Sequence, residues 1–234
     1  MGTFFKKEDK FILLLLAAAA LFYSFRENSI GTIAVRVFSL LCCIPVHEFA
    51  HARTAYALGD DTAKRQGRVT LNPLAHVGPE GAFLILAFGF GFGKPVPVSS
   101  SNFPPDKRKK YYAVTALAGP LSNLFLSLLF LLLGFLCLYR LQNIKLYQLL
   151  SYASYINISL AVFNLLPIPP LDGSSLLNLI LPGNSYAALY KYRKTLIVCV
   201  FAAVWILPRV GINILGTISS AVFQAFSRVI MKLF

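Results

Sequence analysis

The sequence predicts an all-α polytopic membrane protein with about six transmembrane helices and a short re-entrant or edge-strand segment after the second. Hydrophobic residues make up 57% of the chain and charged residues only 13%, and the mean hydropathy is +0.67. These values are too apolar for an ordinary soluble domain. Apolar runs recur along the whole chain without a polar stretch that could build a separate core. We therefore expect one membrane-embedded domain over residues 1–234.

The predicted helices follow from the length of the apolar runs. A transmembrane helix needs about 20 apolar residues. The runs that meet or approach this length are 11–23, 30–58, 111–139, 146–166, 195–207 and 212–234. The first run follows three lysines, as in a signal peptide, but no convincing cleavage site precedes Arg26. We therefore expect it to be retained as the first helix.

The basic residues predict how the helices are oriented. The net charge is +13, and the Lys and Arg residues flank the apolar runs at alternating ends. With the N-terminus in the cytoplasm, most of them lie inside, including Arg228 and Lys232. Those left outside are Arg26, Arg140, Lys145 and Arg209. The charge therefore indicates membrane topology and not a nucleic-acid partner.

The segment between the second and third predicted helices has an unusual pattern. Residues 82–93 are apolar but too short to cross, and Phe and Gly alternate from Phe88 onwards, which disfavours a helix. We expect a re-entrant piece whose backbone is covered by protein or water. Residues 94–98, with two prolines, are predicted as an edge strand. This edge could pair with an unwound peptide; an amphiphilic loop on the membrane surface is the alternative.

His47, Glu48 and His51 form the pattern that most clearly carries chemistry. On a helix, residues i and i+4 lie on one face, so both imidazoles can reach a single Zn²⁺ while Glu48 holds the attacking water. Ionisable side chains at membrane depth each cost roughly 2.5 kcal/mol or more unless they are paired or line a cavity. A helix entered from the outside at residue 30 reaches His47 after about 25 Å, in the cytoplasmic part of the membrane. The pattern indicates a metal site; a structural polar cluster is the alternative.

Asp172 is the candidate for a third ligand, because a tetrahedral catalytic zinc takes three protein ligands and a water. It lies in Asn-Leu-Leu-Pro-Ile-Pro-Pro-Leu-Asp-Gly at 164–173, directly after the fourth predicted helix and at the level of His47 and His51. The prolines break the helix, so the carboxylate can be presented from irregular backbone. An ordinary surface turn at Asp-Gly is the alternative.

Two amides at membrane depth are candidate auxiliary groups. Asn123 belongs to a stripe with Thr115, Gly119 and Ser127, in which small or polar residues recur every fourth position, as in close helix contacts. Asn123 and Asn164 could orient a substrate carbonyl or its developing oxyanion. Hydrogen bonds between helices explain both amides equally well.

The remaining metal-ligand residue types are not expected in the site. Cysteines at 42, 43, 137 and 199 all fall in apolar runs, so no disulfide framework is expected. Cys42 and Cys43 are close enough to the histidines for a thiolate ligand to be conceivable, but small buried side chains are the favoured interpretation. We expect His76 to be a loop residue near the lipid headgroups and not a ligand.

Together, the His-Glu-Phe-Ala-His motif, Ala-Gly-Pro-Leu-Ser-Asn at 118–123 and the 164–173 segment resemble the site-2 protease family of intramembrane zinc metalloproteases. Residues 67–76 and 93–98 extend the resemblance. It implies that His47, His51 and Asp172 bind one Zn²⁺ per chain, that Glu48 is the general base and that Asn164 lies near the substrate. Gly78 departs from the family's usual aspartate, and neither a PDZ nor a CBS domain is present, as in a minimal form.

The resemblance implies regulated cleavage of transmembrane segments of substrate proteins, by a catalytic core at about 30–182. We expect a multi-pass protein of a prokaryotic cell membrane, with the N-terminus and the active site towards the cytoplasm. A catalytically silent protein that binds transmembrane partners is the alternative, although a pure binder has no need for Glu48. A metal transporter is disfavoured because no acidic residue or histidine follows residue 195. The sequence leaves the oligomeric state open.

Overall fold

The computed structural model describes residue 26 and residues 30–88 and 93–234. The predicted first helix at 11–23 lies outside these residues. The described part is all-helical and contains no strand, which confirms the all-α part of the predicted fold class. Its α-helices are α1 Ile30–Phe38, α2 Ile44–Ala57, α3 Thr62–Arg65, α4 Pro73–His76, α5 Pro79–Phe88, α6 Arg108–Leu141, α7 Ile144–Asn164, α8 Ser174–Ile180, α9 Gly183–Lys191, α10 Arg193–Ile206 and α11 Ile214–Met231.

Three helices of the described part are long and apolar enough to cross a membrane. The first is a continuous rod, Ile30–Ala57, in which the π-helical turn Ser39–Cys43 joins α1 to α2. The others are α6 and α11. Helix α7 has 21 residues, enough for about 31 Å, but its Gln, Ser and Asn residues make it less apolar. The structure therefore shows three of the predicted spans and does not confirm the count of six.

Helix α6 is central, since it packs against α2, α7, α8 and α11. Polar side chains bind the helices together inside this apolar bundle. Ser127 of α6 and Ser154 of α7 share a buried hydrogen bond of 2.7 Å between their hydroxyls. Asn157 of α7 donates to the Sγ of Cys43 at 3.2 Å. Such bonds fix the register of helices that lipid alone would not hold together.

The last helix runs in the opposite direction to the one predicted. Phe234 stacks on Tyr139 with ring centroids 5.4 Å apart, and Ile230 packs with Leu131 and Phe135. The C-terminal ends of α11 and α6 therefore lie at the same end of the bundle. This end is opposite to the basic start of α6, so Arg228 and Lys232 lie towards the same end as Arg140, whereas the prediction placed them on the other side of the membrane. The prediction assumed that residues 195–207 cross, but α10 has only 14 residues, about 21 Å.

The segment after α2 also differs from the prediction. Its residues 82–88, expected as re-entrant extended chain, belong to α5, which begins with Pro79 at a position that favours helix initiation. Arg36 of α1 donates to the carbonyl of Leu86 at 2.9 Å and so ties α5 to the first rod. Residues 89–92 lie outside the described part. Residues 94–98 are irregular, so the predicted edge strand is wrong, because no described neighbouring strand provides a sheet for it.

Candidate metal centre

Helix α2 and the loop after α7 bring three metal-ligand side chains together. The Nε2 atoms of His47 and His51 lie 3.0 Å apart, and Asp172 Oδ2 is 3.2 Å from the first and 3.4 Å from the second. Both histidines are only 7% exposed. The donor atoms of all three residues lie within 4.8 Å of one another. The residues predicted as ligands therefore converge on one point.

The hydrogen bonding of His51 shows that this point suits a cation. His51 Nδ1 lies 2.7 Å from the carbonyl oxygen of Thr115. A carbonyl only accepts, so Nδ1 carries a proton and the neutral ring turns the lone pair of Nε2 towards Asp172. Two lone pairs at this distance need a proton or a metal ion between them. A zinc-binding histidine characteristically donates its other N–H to such a carbonyl, so the donor set fits Zn²⁺.

The loop that carries Asp172 is closed by its own backbone. The amide of Gly173 donates to the carbonyl of Asn164 at 2.7 Å, and the hydroxyl of Ser175 donates to the carbonyl of Asp172 at 2.7 Å. Pro169 and Leu171, which belong to this loop, are buried. The chain that leaves α7 therefore folds back and presents the carboxylate to α2.

Helix α6 packs closely against the rings of the two histidines. A Cβ placed on Gly119 would lie 2.5 Å from Cε1 of His51 and 2.6 Å from Cε1 of His47, a separation that real Cβ atoms do not adopt. Only glycine therefore lets α6 approach this closely. Thr115 is one turn earlier on the same face. The sequence predicts both residues as helix contacts, in a stripe that recurs every fourth position from Thr115, and this stripe is the signal that marks the face of α6 next to the histidines.

Glu48 lies on α2 with the two histidines, beside the irregular chain that begins at Gly93. It is 7% exposed, and a Cβ on Gly93 would lie 2.6 Å from its Oε1. Its carboxylate is thus held in a tight space next to His47. A carboxylate one residue from a metal-binding histidine is placed as in helical metalloprotease sites.

The two predicted auxiliary amides are placed differently from each other. Asn123 is 1% exposed, and its Oδ1 has no hydrogen-bond partner among the described residues. Asn164 is half-buried and donates to the carbonyl of Leu160 at 3.0 Å. Neither belongs to the convergent set of three. Asn123 keeps an acceptor available, whereas Asn164 ends α7 and closes the Asp172 loop.

His76 and the cysteines stay outside the metal centre. His76 ends α4 and is fully buried, with Nε2 at 2.6 Å from the carbonyl of Thr70, so the prediction of a loop residue is wrong; this local hydrogen bond offsets the cost of burial. Burial also lowers the pKa of His76. All four cysteines are unpaired. Cys43 is buried against Asn157 and Cys42 is exposed.

Comparisons with known proteins define the class. Residues 139–208 match the family model of peptidase family M50. The chain is 41% identical over 154 residues to "Putative zinc metalloprotease YwhC" of Bacillus subtilis, covering 63% of this chain and 69% of that protein. It is 31% identical over 149 residues to "Putative zinc metalloprotease Rip2" of Mycolicibacterium smegmatis, covering 62% and 56%. No solved structure matches.

The chain therefore belongs to peptidase family M50, the site-2 protease family of membrane-embedded zinc metalloproteases. Zinc is the metal that this family implies, and the His47, His51 and Asp172 cluster can bind one ion. The matched segment is a little over half of Rip2.

Proposed function

We propose that this protein is an intramembrane zinc metalloprotease that hydrolyses peptide bonds within or next to transmembrane segments of substrate proteins, in regulated intramembrane proteolysis. The observation that carries the proposal is that Asp172 converges with His47 and His51 beside Glu48, and that both histidines and Glu48 lie on a helix long and apolar enough to cross the membrane. A buried group of this kind is costly in a bilayer without a function.

Each side chain has a defined role in this proposal. His47, His51 and Asp172 would hold the ion, which would act as a Lewis acid and bring the pKa of a water molecule towards neutrality. Glu48 accepts the proton of the attacking water. Asn123, with its free Oδ1, and Asn164 orient the peptide near the site. The substrate helix has to unwind locally, since helical hydrogen bonds shield its carbonyls.

The arrangement of the helices supports a site that opens to the cytoplasm of a prokaryotic cell. The basic residues 107–110 begin α6, and the positive-inside rule places such a cluster in the cytoplasm. We expect the N-terminus on the same side, as the positive-inside rule predicts. Because α11 runs parallel to α6, we count five crossings with the predicted helix at 11–23, instead of six. Residues 1–234 form one domain with its catalytic core at about 30–182.

The decisive experiment replaces Glu48 by Gln, which keeps the shape of the side chain but cannot accept the proton. Wild type and variant are reconstituted in vesicles with single-pass model substrates, and zinc content and cleavage are measured together. We expect about one zinc per chain in both and a cleavage rate at least roughly 100-fold lower in the variant. Arg65→Ala, at an exposed ion pair with Asp61, is the control.

Two results would contradict the proposal. A Glu48→Gln protein that cleaves at the wild-type rate removes Glu48 from the mechanism. A wild-type protein that binds zinc and transmembrane segments but cleaves none of the substrates favours the silent binding protein.

A further inference from the structure

Arg68 is a buried cation outside the membrane-spanning helices, and the proposed chemistry gives it no role. It follows α3, is 6% exposed, and its amide donates to the carbonyl of Ala63 at 2.9 Å. Its Nη2 donates to the carbonyl of Lys94 and also lies 3.3 Å from that of Pro95. Burying a guanidinium is costly, and a planar fork with several donors is suited to holding more than one acceptor. The clamp therefore fixes one particular stretch of chain.

The clamped stretch touches Glu48. Gly93 directly precedes Lys94, and a Cβ on Gly93 would lie 2.6 Å from Glu48 Oε1 and 2.8 Å from Ile44 Cγ2. The amide of Lys94 is held from another side, since it donates to the carbonyl of His76 at 2.5 Å.

We propose that Arg68 is a positioning residue for Glu48. By holding the carbonyls of Lys94 and Pro95 it keeps Gly93 against the Glu48 side chain, and this contact restricts the carboxylate to one orientation beside His47. The consequence for catalysis rests on the proposed function, but the mechanical link from Arg68 to Glu48 does not. Loss of alignment by about 1 Å is enough to slow an enzyme by roughly 100-fold.

The mechanical link can be tested without any activity. Glu48 and Gly93 are both replaced by Cys in a chain whose four native cysteines are replaced by Ser, and disulfide formation is measured under mild oxidation. Cysteines link when their Cβ atoms are about 3.5–4.5 Å apart. We expect efficient crosslinking with Arg68 present and a fraction at least about threefold lower with Arg68→Ala. Arg65→Ala, which removes an exposed cation three residues earlier, is expected to leave the fraction unchanged.

Kinetics test the catalytic consequence. Arg68→Ala is expected to lower kcat at least about tenfold with KM and zinc content close to wild type. Arg68→Lys is expected to recover part of kcat, because it keeps the charge but not the fork. Gly93→Ala crowds Glu48 only while the segment is clamped, so its effect should be smaller in the Arg68→Ala background, and the two changes should not be additive.

The outcomes separate this proposal from the proposed function. Equal crosslinking in Arg68→Ala and wild type overturns the positioning role, as does a loss of kcat that follows loss of zinc or of folded protein. A wild-type protein that cleaves nothing overturns the protease function, while the crosslinking result still decides the position of Glu48.

Discussion

The two sides of the metal centre are built in different ways. On the helix side, the helical repeat of α2 puts His47 and His51 on one face, and α6 packs against their rings. Both histidines are almost completely buried. On the loop side, Asp172 stands on irregular chain after α7, and its side chain is 22% exposed. The helix side is fixed locally, whereas the loop side depends on how α7 and its loop close against α2. The site exists only where the two meet.

The sharpest test of this comparison removes the loop ligand. Asp172→Ala leaves two histidines, which is one protein ligand short of the three that a catalytic zinc takes. We expect zinc affinity to fall by more than about 100-fold, because even loss of an outer hydrogen-bond partner costs roughly 10- to 100-fold. Zinc content of detergent-purified protein is the measurement, and Asp61→Ala, at an exposed carboxylate, is the control. Zinc retained by Asp172→Ala would mean that the helix side holds the ion by itself.

The second test crowds the two histidines on the helix side. A methyl group at position 119 collides with both imidazoles, and His51 cannot turn away without losing its hydrogen bond to Thr115. We expect Gly119→Ala to cost about 1–3 kcal/mol of stability and to weaken zinc binding, measured by thermal unfolding and zinc content.

Gly134→Ala on the same helix is the matched control. Its nearest neighbours, in Leu150 and Tyr147, lie at 3.5 Å, an ordinary contact distance. Because alanine favours helix by up to about 1 kcal/mol over glycine, this variant should be neutral or slightly more stable. A Gly119→Ala protein that behaves like Gly134→Ala would show that α6 does not constrain the histidines.

The same division explains what could be predicted from the sequence. His47 and His51 converge because a helix repeats every 3.6 residues, so their proximity follows from spacing alone. For Asp172, spacing left an ordinary surface turn as an alternative. The closure of its loop depends on hydrogen bonds such as that of Gly173 to Asn164, which no local pattern specifies. The roles of all these residues in catalysis stay predictions.

The wrong predictions concern segments whose local sequence pattern does not determine their place in the bundle. Alternating charges predicted the wrong direction for α11, because α10 was assumed to cross. The alternation of Phe and Gly begins only at Phe88, which is the last residue of α5, so it does not describe residues 82–87. The polar stretch 67–81 predicts a loop around His76, but the carbonyl of Thr70 six residues earlier provides the hydrogen bond that lets this histidine be buried in a helix.

The smallest expected effect concerns Asp60, a loop carboxylate that is held by hydrogen bonds instead of a metal. It accepts from the amide of Ser99 and the side-chain amide of Asn102, both at 2.7 Å, and from Thr62. Burial by itself raises the pKa of Asp60, but these hydrogen bonds outweigh it, and the net pKa is below the usual value. The ionised group therefore stabilises the loop above about pH 4, and this contribution is lost as the pH falls further.

Asp60→Asn should accordingly lose about 1–3 kcal/mol of local stability near neutral pH, since an amide cannot accept the same set of bonds. Hydrogen exchange of a peptide covering residues 94–103 is the measurement, with both proteins compared at each pH. The difference between them should shrink below about pH 4, because wild-type Asp60 is then protonated as well. A difference that stays constant with pH would mean that the charge of Asp60 does not hold this loop.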